Sequence, residues 1–323
     1  MRTLRNFARF TLGLAVAAGS FAALAQDYPS KPLRLVVGFP PGGNVDLVGR
    51  LVAAKMSEGL GQSVVVENRT GAGSMIANEY VAKAAPDGYT MLLVSGAYVT
   101  QAAVQKKLAF DPIKGFAWIS PVVVYPLVLA VRADSRFKTM GDLIAFARAN
   151  PGKLNYPSPG TGTLYHLAVE HMNSLAKVEM VHVPFRGGGE PVTEVLAGRL
   201  DFLMDALPVV WPQLQAGKMR ALGVSIAQPS PVMPSVPTIS QTVGGYLSSS
   251  FSGLAAPAGT PAPMIDRLNR EARRVVELAE FKARFADSGG LPQASSPEEF
   301  GRMVEGEIAK WRKVVEERRI EAQ

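Results

Sequence analysis

The sequence predicts an α/β fold of two lobes, each a mostly parallel sheet flanked by helices, with a ligand cleft between them. Three observations lead there. Apolar, strand-like runs alternate with helical patterns from Arg34 to Ser225. Glycine-rich loops join strand to helix at "PPGGN" (40–44), "GAGS" (71–74) and "SPGTGT" (158–163). A proline-rich stretch then leads into one more strand, which returns the chain to the lobe where it began.

Residues 34–39 read as a strand, and 45–56 as a helix with Val48, Leu51, Val52 and Met56 on one face. Gly59 and Gly61 are expected to stop that helix. Residues 64–67 form the second strand. Ser74 is placed to cap a helix over 74–85, ended by Pro86-Asp87-Gly88, and 89–94 is the third strand. This βαβαβ order implies parallel strands joined by right-handed crossovers. A second alternation follows: strand 127–131, a helix to Ala149 opened by a capping box at Thr139 and Asp142, strand 154–156, helix 163–175, strand 178–184, helix 191–197, strand 202–205, helix 209–215 and strand 220–225. Residues 226–247 meander through "AQPSPVMPSVPT". "SSSFSGLAAPAG" is the returning strand. Thr260-Pro261 and Ser296-Pro297-Glu298-Glu299 open the last two helices, 261–286 (in one piece or two) and 297–320.

Residues 1–25 are set aside as an export signal. Arg2, Arg5 and Arg9 precede an apolar stretch at 10–24 that is short for a bilayer span. Ala23-Leu24-Ala25 is a cleavage site that makes Gln26 the mature N-terminus. The sequence has no cysteine, which excludes a disulfide scaffold, thiolate metal sites, cysteine nucleophiles and a lipid-modified cysteine. A soluble periplasmic protein is expected. The formal charge of +7 includes the three signal arginines, which leaves +4 for the rest. Acids and bases are interspersed, so nucleic acid is not an expected partner. The mature length suits two lobes at about 100–200 residues per domain: residues 26–125 with 250–323 as lobe 1, and 126–249 as lobe 2. The chain crosses between them near residues 125 and 250.

The three glycine loops share one design. Each exposes backbone N–H groups at the positive end of a helix, and glycine lets a ligand come close. The loops at 40 and 158 lie in different lobes, so an anion held in the cleft uses both. A nucleotide is a poor fit. Gly38 to Gly43 has the glycine spacing of a Walker loop, but Asn44 stands where lysine is required, and no G-x-G-x-x-G occurs. His166 and His171 are five apart, not the i, i+4 of a zinc pair. "SRFK" and "SLAK" match S-x-x-K without its partner motifs, and no G-x-S-x-G elbow is present. Neither a metal nor a cofactor is expected, and no catalytic constellation is visible.

With these residues in view, the chain resembles the Bordetella uptake gene family, the periplasmic substrate-binding proteins of tripartite tricarboxylate-type transporters. "GFPPGGNVDLVGR", "ENRTGAGSMIANEYVAKAAPDGYTMLLV", "HVPFRGGGEPVTEVLAGRLDF", "GKMRALGVS", "PSVPTISQ" and "GLAAPAGTPAPMIDRLN" carry the resemblance, in family order over nearly the whole mature chain. It implies a periplasmic-binding-protein fold of type II-like form. It also implies a small organic carboxylate as ligand, held by backbone N–H groups, hydroxyls and water rather than transformed. Large and small membrane subunits of a carrier are the implied partners of a monomeric receptor. The resemblance places Phe39, Pro40, Gly42, Gly43 and Asp46 in the first ligand loop, and Ser95, Gly96 and Ala97 at the cleft. Gly160, Thr161, Gly162 and Thr163 form the opposing loop, with His166 one turn on, and Arg186 and Asp205 lie on the second lobe.

The residues alone leave other readings open. Asp46 also suits a helix cap, Arg186 a structural ion pair, and His166 a packed core. Gly49, Ser74, Pro159, Tyr98 and Trp211 depart from the family pattern or stand beside it, which leaves the carboxylate unidentified. Two other function classes compete. A regulator's effector domain needs a DNA-binding helix that is not visible. An exported hydrolase needs a nucleophile with a base in reach. For a carboxylate receptor, side chains at Gly43 or Gly162 are expected to block the ligand and to disfavour a positive φ.

Overall fold

The computed structural model describes residues 28–185, 189–286 and 289–321. The export signal, its cleavage site and Arg186 lie outside the described residues. Among the described residues, no helix is long and apolar enough to cross a membrane.

The first βαβαβ unit forms as the alternation predicts. Strands β1 (Leu33–Val37), β2 (Val64–Asn68) and β3 (Thr90–Ser95) pair in parallel, in the order β3-β1-β2. Helix α1 (Asn44–Leu60) buries Val48, Val52 and Met56 against one face. Gly61 ends it in the left-handed region at φ 68, donating its N–H to the Ser57 carbonyl, while Gly59 lies inside the helix. Helix α2 (Met75–Ala82) follows Ser74, which holds φ 82 and makes no side-chain cap bond. The expected cap is therefore absent, and the helix ends short of Ala85. Helix α3 (Gly96–Val104) was not expected: its first turn holds neither an acid nor a side-chain cap to mark a start.

Strand β4 (Phe116–Arg132) is the spine of the molecule. The sequence is read as a strand only over 127–131; Pro121 and Pro126 are unusual inside a strand. Both are accommodated, the first beside a ladder irregularity at Pro121/Val123 and the second on the last rung shared with the returning strand. Lobe 2 adds α4 (Met140–Ala149), β5 (Leu154–Ser158), α5 (Leu164–Ala176), β6 (Met180–Pro184), α6 (Glu190–Leu196), β7 (Leu203–Ala206), α7 (Leu207–Gln215) and β8 (Met219–Val224). The Thr139–Asp142 capping box forms, with both reciprocal bonds present. Strands β5 and β6 pair in parallel, whereas β7 and β8 run antiparallel to the far half of β4.

The chain returns through β9 (Ser249–Pro257), inserted between β4 and β3 and antiparallel to both. Helices α8 (Ala262–Glu277) and α9 (Ala279–Ala286) are separated by extended Leu278; β10 (Leu291–Pro292) and α10 (Pro297–Glu317) complete the fold. Pro261, rather than Thr260, holds the cap position of α8, and the Thr260 hydroxyl instead donates to the Pro257 carbonyl. Ser296 and Glu299 form the second capping box.

Helices cover both faces of the lobe 1 sheet. Val52, Met56, Leu268 and Val275 pack against Leu35 and Val37 on one side. Tyr98, Trp118, Phe300 and Trp311 fill the other, and that core continues into lobe 2 through Leu164, Leu167 and Tyr156. The last rung between β4 and β9 is Pro126↔Ser249; from Leu127 onward β4 pairs with β7 instead. Buried Ser225 ties the two crossing segments. Its N–H donates to the Leu127 carbonyl, its hydroxyl accepts from the Leu127 N–H at 2.8 Å and donates to the Ser248 carbonyl, and its own carbonyl accepts the Ser248 N–H.

Candidate functional site

The first loop leaves the carboxyl end of β1 and is built around Asp46. This residue is 1 % exposed, and its carboxylate accepts the Gly42 N–H at 2.8 Å, Arg50 Nε at 2.9 Å and Asn68 Nδ2 at 2.8 Å. Asn68 Nδ2 also donates to the Phe39 carbonyl, so the two ends of the loop share one anchor. Burial works against the charge, but the bonds from Arg50, Asn68 and Gly42 overcome it and hold the carboxyl below its ordinary range. Asp46 therefore shapes the loop from behind. Pro40, Gly42 and Gly43 are exposed at its rim, with Phe39 half-buried beneath. Gly42 carries the positive φ, 83°, whereas Gly43 has φ −74°. The strain argument expected at Gly43 belongs to Gly42.

A second loop packs beneath the first. A Cβ at Gly38 would stand 2.4 Å from the Ser74 Cβ, so that glycine is a close-approach position. Ser95, Gly96 and Ala97 start α3 at the carboxyl end of β3. A Cβ on Gly96 would meet Leu164 of lobe 2 at 3.2 Å and the Ser250 hydroxyl at 3.3 Å. Gly96 thus lies where the lobes touch, and Ser250 joins the group without having been expected there.

In lobe 2, residues 158–166 form a self-bonded loop. Gly162, at φ 76°, donates its N–H to Nδ1 of His166 at 3.0 Å. The Thr163 hydroxyl donates to the Gly160 carbonyl at 2.7 Å, and Gly160 donates its N–H to Ser158 Oγ at 3.1 Å. Among the described residues the Thr161 hydroxyl has no hydrogen-bond partner. Like Asp46, His166 faces inward. Its ring stacks on His182 at 3.8 Å between centroids, and His182 Nε2 lies 2.6 Å from Ser158 Oγ. Burial pushes both imidazoles down to about 4. Alternation within its strand marks His182 as structural, and Ser158 opens a glycine loop, but neither sequence signal shows that the two are bonded.

A serine bonded to a histidine invites a hydrolase reading, but the pair is placed wrongly for one. Ser158 is fully buried and also engaged with the Gly160 carbonyl at 2.9 Å, and among the described residues no carboxylate is bonded to His182. Asp205, 6 % exposed, accepts the Ala206 N–H at 2.7 Å. Burial pushes its carboxyl up to about 7, against the bonds from Ala206 and the Tyr165 hydroxyl. Tyr165 is the second residue of α5, so Asp205 is joined to the helix that the lobe 2 loop opens.

A cavity of about 720 Å³ lies elsewhere, at the amino ends of β1 and β3, lined by Lys31, Arg34, Tyr80, Lys83, Asp87 and Tyr89 among others. Its charges are already paired, Lys83 with Glu79 and Lys31 with Asp87. Sheets of this kind bind ligands at the carboxyl ends of their strands. We therefore place the candidate site at the loops between the lobes.

Residues 48–320 match the family described as "Tripartite tricarboxylate transporter family receptor". The chain is 36% identical over 319 residues to a UPF0065 protein from the tcbD-tcbE intergenic region of Pseudomonas sp. (strain P51), covering 97% of this chain and 95% of that one. An R. palustris protein solved with adipate superposes with a TM-score of 0.76 at 34% identity, covering 90% of this chain and 98% of that one. MatC from Rhodopseudomonas palustris, solved with bound malate, gives 0.72 at 32% identity, covering 89% and 100%.

Proposed function

Because the chain belongs to the tripartite tricarboxylate transporter receptor family, we propose that it captures a small aliphatic dicarboxylate in the periplasm and presents it to the large and small membrane subunits of a carrier. The observation that carries this reading is the design shared by the loops at 40–46 and 158–166. Each ends at a helix N-terminus whose first-turn N–H groups have no partner within the helix, and each has its own buried acceptor behind it rather than towards the cleft. Such loops grip an oxyanion without doing chemistry on it. The malate and adipate bound by the two relatives differ in length but share terminal carboxylates.

Capture works by closure of the lobes about the Pro126↔Ser249 rung, where we set the division between them. The receptor acts as a monomer, released after loss of its signal. A thermal-shift series across straight-chain dicarboxylates from four to eight carbons tests the reading. At one hundred times Kd a ligand adds about 2.7 kcal/mol, a readily measured rise in midpoint. A series in which no acid raises the midpoint sinks it. Small-angle scattering tests closure, which is expected to reduce the radius of gyration on binding; an unchanged profile with a bound acid counts against it.

A further inference from the structure

We infer that His166 is a positioning residue: its unprotonated Nδ1 holds Gly162, and with it the lobe 2 loop, in the ligand-receiving conformation, and acid releases that hold. The inference rests on the receptor reading only in taking this loop as a ligand loop.

Gly162 is buried, so its N–H has no access to water in exchange for His166. An acceptor at Nδ1 requires the ring proton to sit on Nε2. The first turn of α5 cannot serve in its place, since a helix leaves its leading N–H groups without internal acceptors. His182 secures the other end of the loop through Ser158, 2.6 Å away, and the two rings stack at 3.8 Å with 21° between planes. One stacked pair therefore fixes both Ser158 and Gly162.

The groups facing this pair are few among the described residues. Arg318, just past α10, faces His166, and Glu170 of α5 faces His182. Tyr156 of β5 stacks near both rings and donates its hydroxyl to Glu170 at 2.6 Å. Glu170 also accepts from Arg318 Nε at 2.6 Å, so its charge is already met. Burial disfavours a proton on either ring, and a charge on one disfavours a charge on the other. When a proton does reach His166 Nδ1, two N–H groups face each other and the Gly162 bond is lost.

The test compares wild type, His166→Leu and His166→Asn, whose amide oxygen can replace Nδ1 as acceptor. Without ligand, nitrogen-15 NMR of the wild type at pH 6 is expected to show a neutral His166 carrying its proton on Nε2. Gly162 amide exchange should be slow in wild type and at least tenfold faster in His166→Leu. With adipate as the probe, His166→Leu is expected to bind about tenfold more weakly at pH 7, and His166→Asn to recover most of that loss. From pH 6 to 4 the Asn variant should lose less affinity than wild type, adipate's own titration being common to both. A proton on Nδ1 at pH 6, or unchanged Gly162 exchange in His166→Leu, overturns the inference. So does equal adipate affinity in wild type and His166→Leu. If wild type takes up neither adipate nor another dicarboxylate, the receptor reading fails while the exchange rates still decide the role of His166.

Discussion

In lobe 1 the nitrogen of Gly42, at φ 83°, lies 2.8 Å from a carboxylate oxygen of Asp46; in lobe 2 the nitrogen of Gly162, at φ 76°, lies 3.0 Å from Nδ1 of His166. Both acceptors stand four residues beyond their glycine, on the first turn of the helix that follows. Two loops of unrelated sequence have arrived at one staple. The chemistry of the staple differs. Asp46 is a charged acceptor paired with Arg50 and hydrogen-bonded by Asn68, and these bonds hold its carboxyl below the ordinary range. His166 is a neutral acceptor, and a proton on Nδ1 removes its capacity to accept. The geometry of a ligand loop is thus separable from the pH range over which it holds.

Acidification should separate the two staples most sharply. His166, His171 and His182 are each pushed down to about 4 by burial, from an ordinary value near 6.5. The unfolded chain therefore binds more protons between these limits, and stability falls as pH drops from about 6.5 towards 4. Asp205 acts with the opposite sign: its raised carboxyl favours the folded state as pH falls from about 7 to about 4. Three groups outweigh one, so the unfolding midpoint at pH 4.5 is expected below that at pH 7. A flat or rising midpoint breaks the contrast.

Removing the charged staple should be the most damaging single change. Asp46→Leu strips Gly42, Arg50 and Asn68 of a shared partner, and a loss of about 3 kcal/mol or more in denaturant unfolding is expected. Asp46→Asn keeps an acceptor for Gly42 and should cost less than half of that. Equal costs would mean that the charge, not the hydrogen bond to Gly42, sets the loop.

Much of this was legible beforehand, for reasons that can be named. The βαβαβ order, the Thr139–Asp142 capping box and the Ser296-Pro297 helix start are local signals, written within a few residues of where they act. The proline-rich connection at 226–247 is another. Helix α3 carries no such signal, and the first half of β4 is masked by two prolines that only its ladder irregularity and edge rungs tolerate. At the site, the glycine loops announced themselves, but the direction of Asp46 and His166 did not. A residue that holds a loop and one that holds a ligand have the same type and spacing; only burial and the partner atom distinguish them. The Ser158–His182 bond joins two strands 24 residues apart in sequence, beyond any local pattern.

Glycine substitutions sharpen the comparison at smaller scale. Gly162→Ala combines a left-handed backbone with a Cβ 3.2 Å from both Val104 methyls, so about 2 kcal/mol of destabilisation is expected. Gly42→Ala meets nothing within 4 Å and should cost about 1 kcal/mol from backbone strain alone. Gly43→Ala has an ordinary φ and only the Pro40 carbonyl at 3.5 Å, so stability should change by less than about 0.5 kcal/mol. Thermal unfolding of the three variants orders them. If Gly43→Ala proves as costly as Gly162→Ala, the loop conformations assigned to the two lobes are at fault.

The rung at Pro126↔Ser249 has a consequence for how such proteins diversify. The chain leaves the first sheet and re-enters it through neighbouring strands, so the ends of the intervening segment stand a single ladder spacing apart, about 5 Å. The segment from Leu127 to Ser248 has its two ends at this rung, and Arg318, just past α10, holds it at a second place through Glu170. Ser225 lies inside the segment and fastens its two ends to each other. Exchange of that block between relatives would preserve the fastening intact. A chimera cut at this rung should fold, whereas one cut in the middle of β4, at Val123, would split the strand that both sheets share.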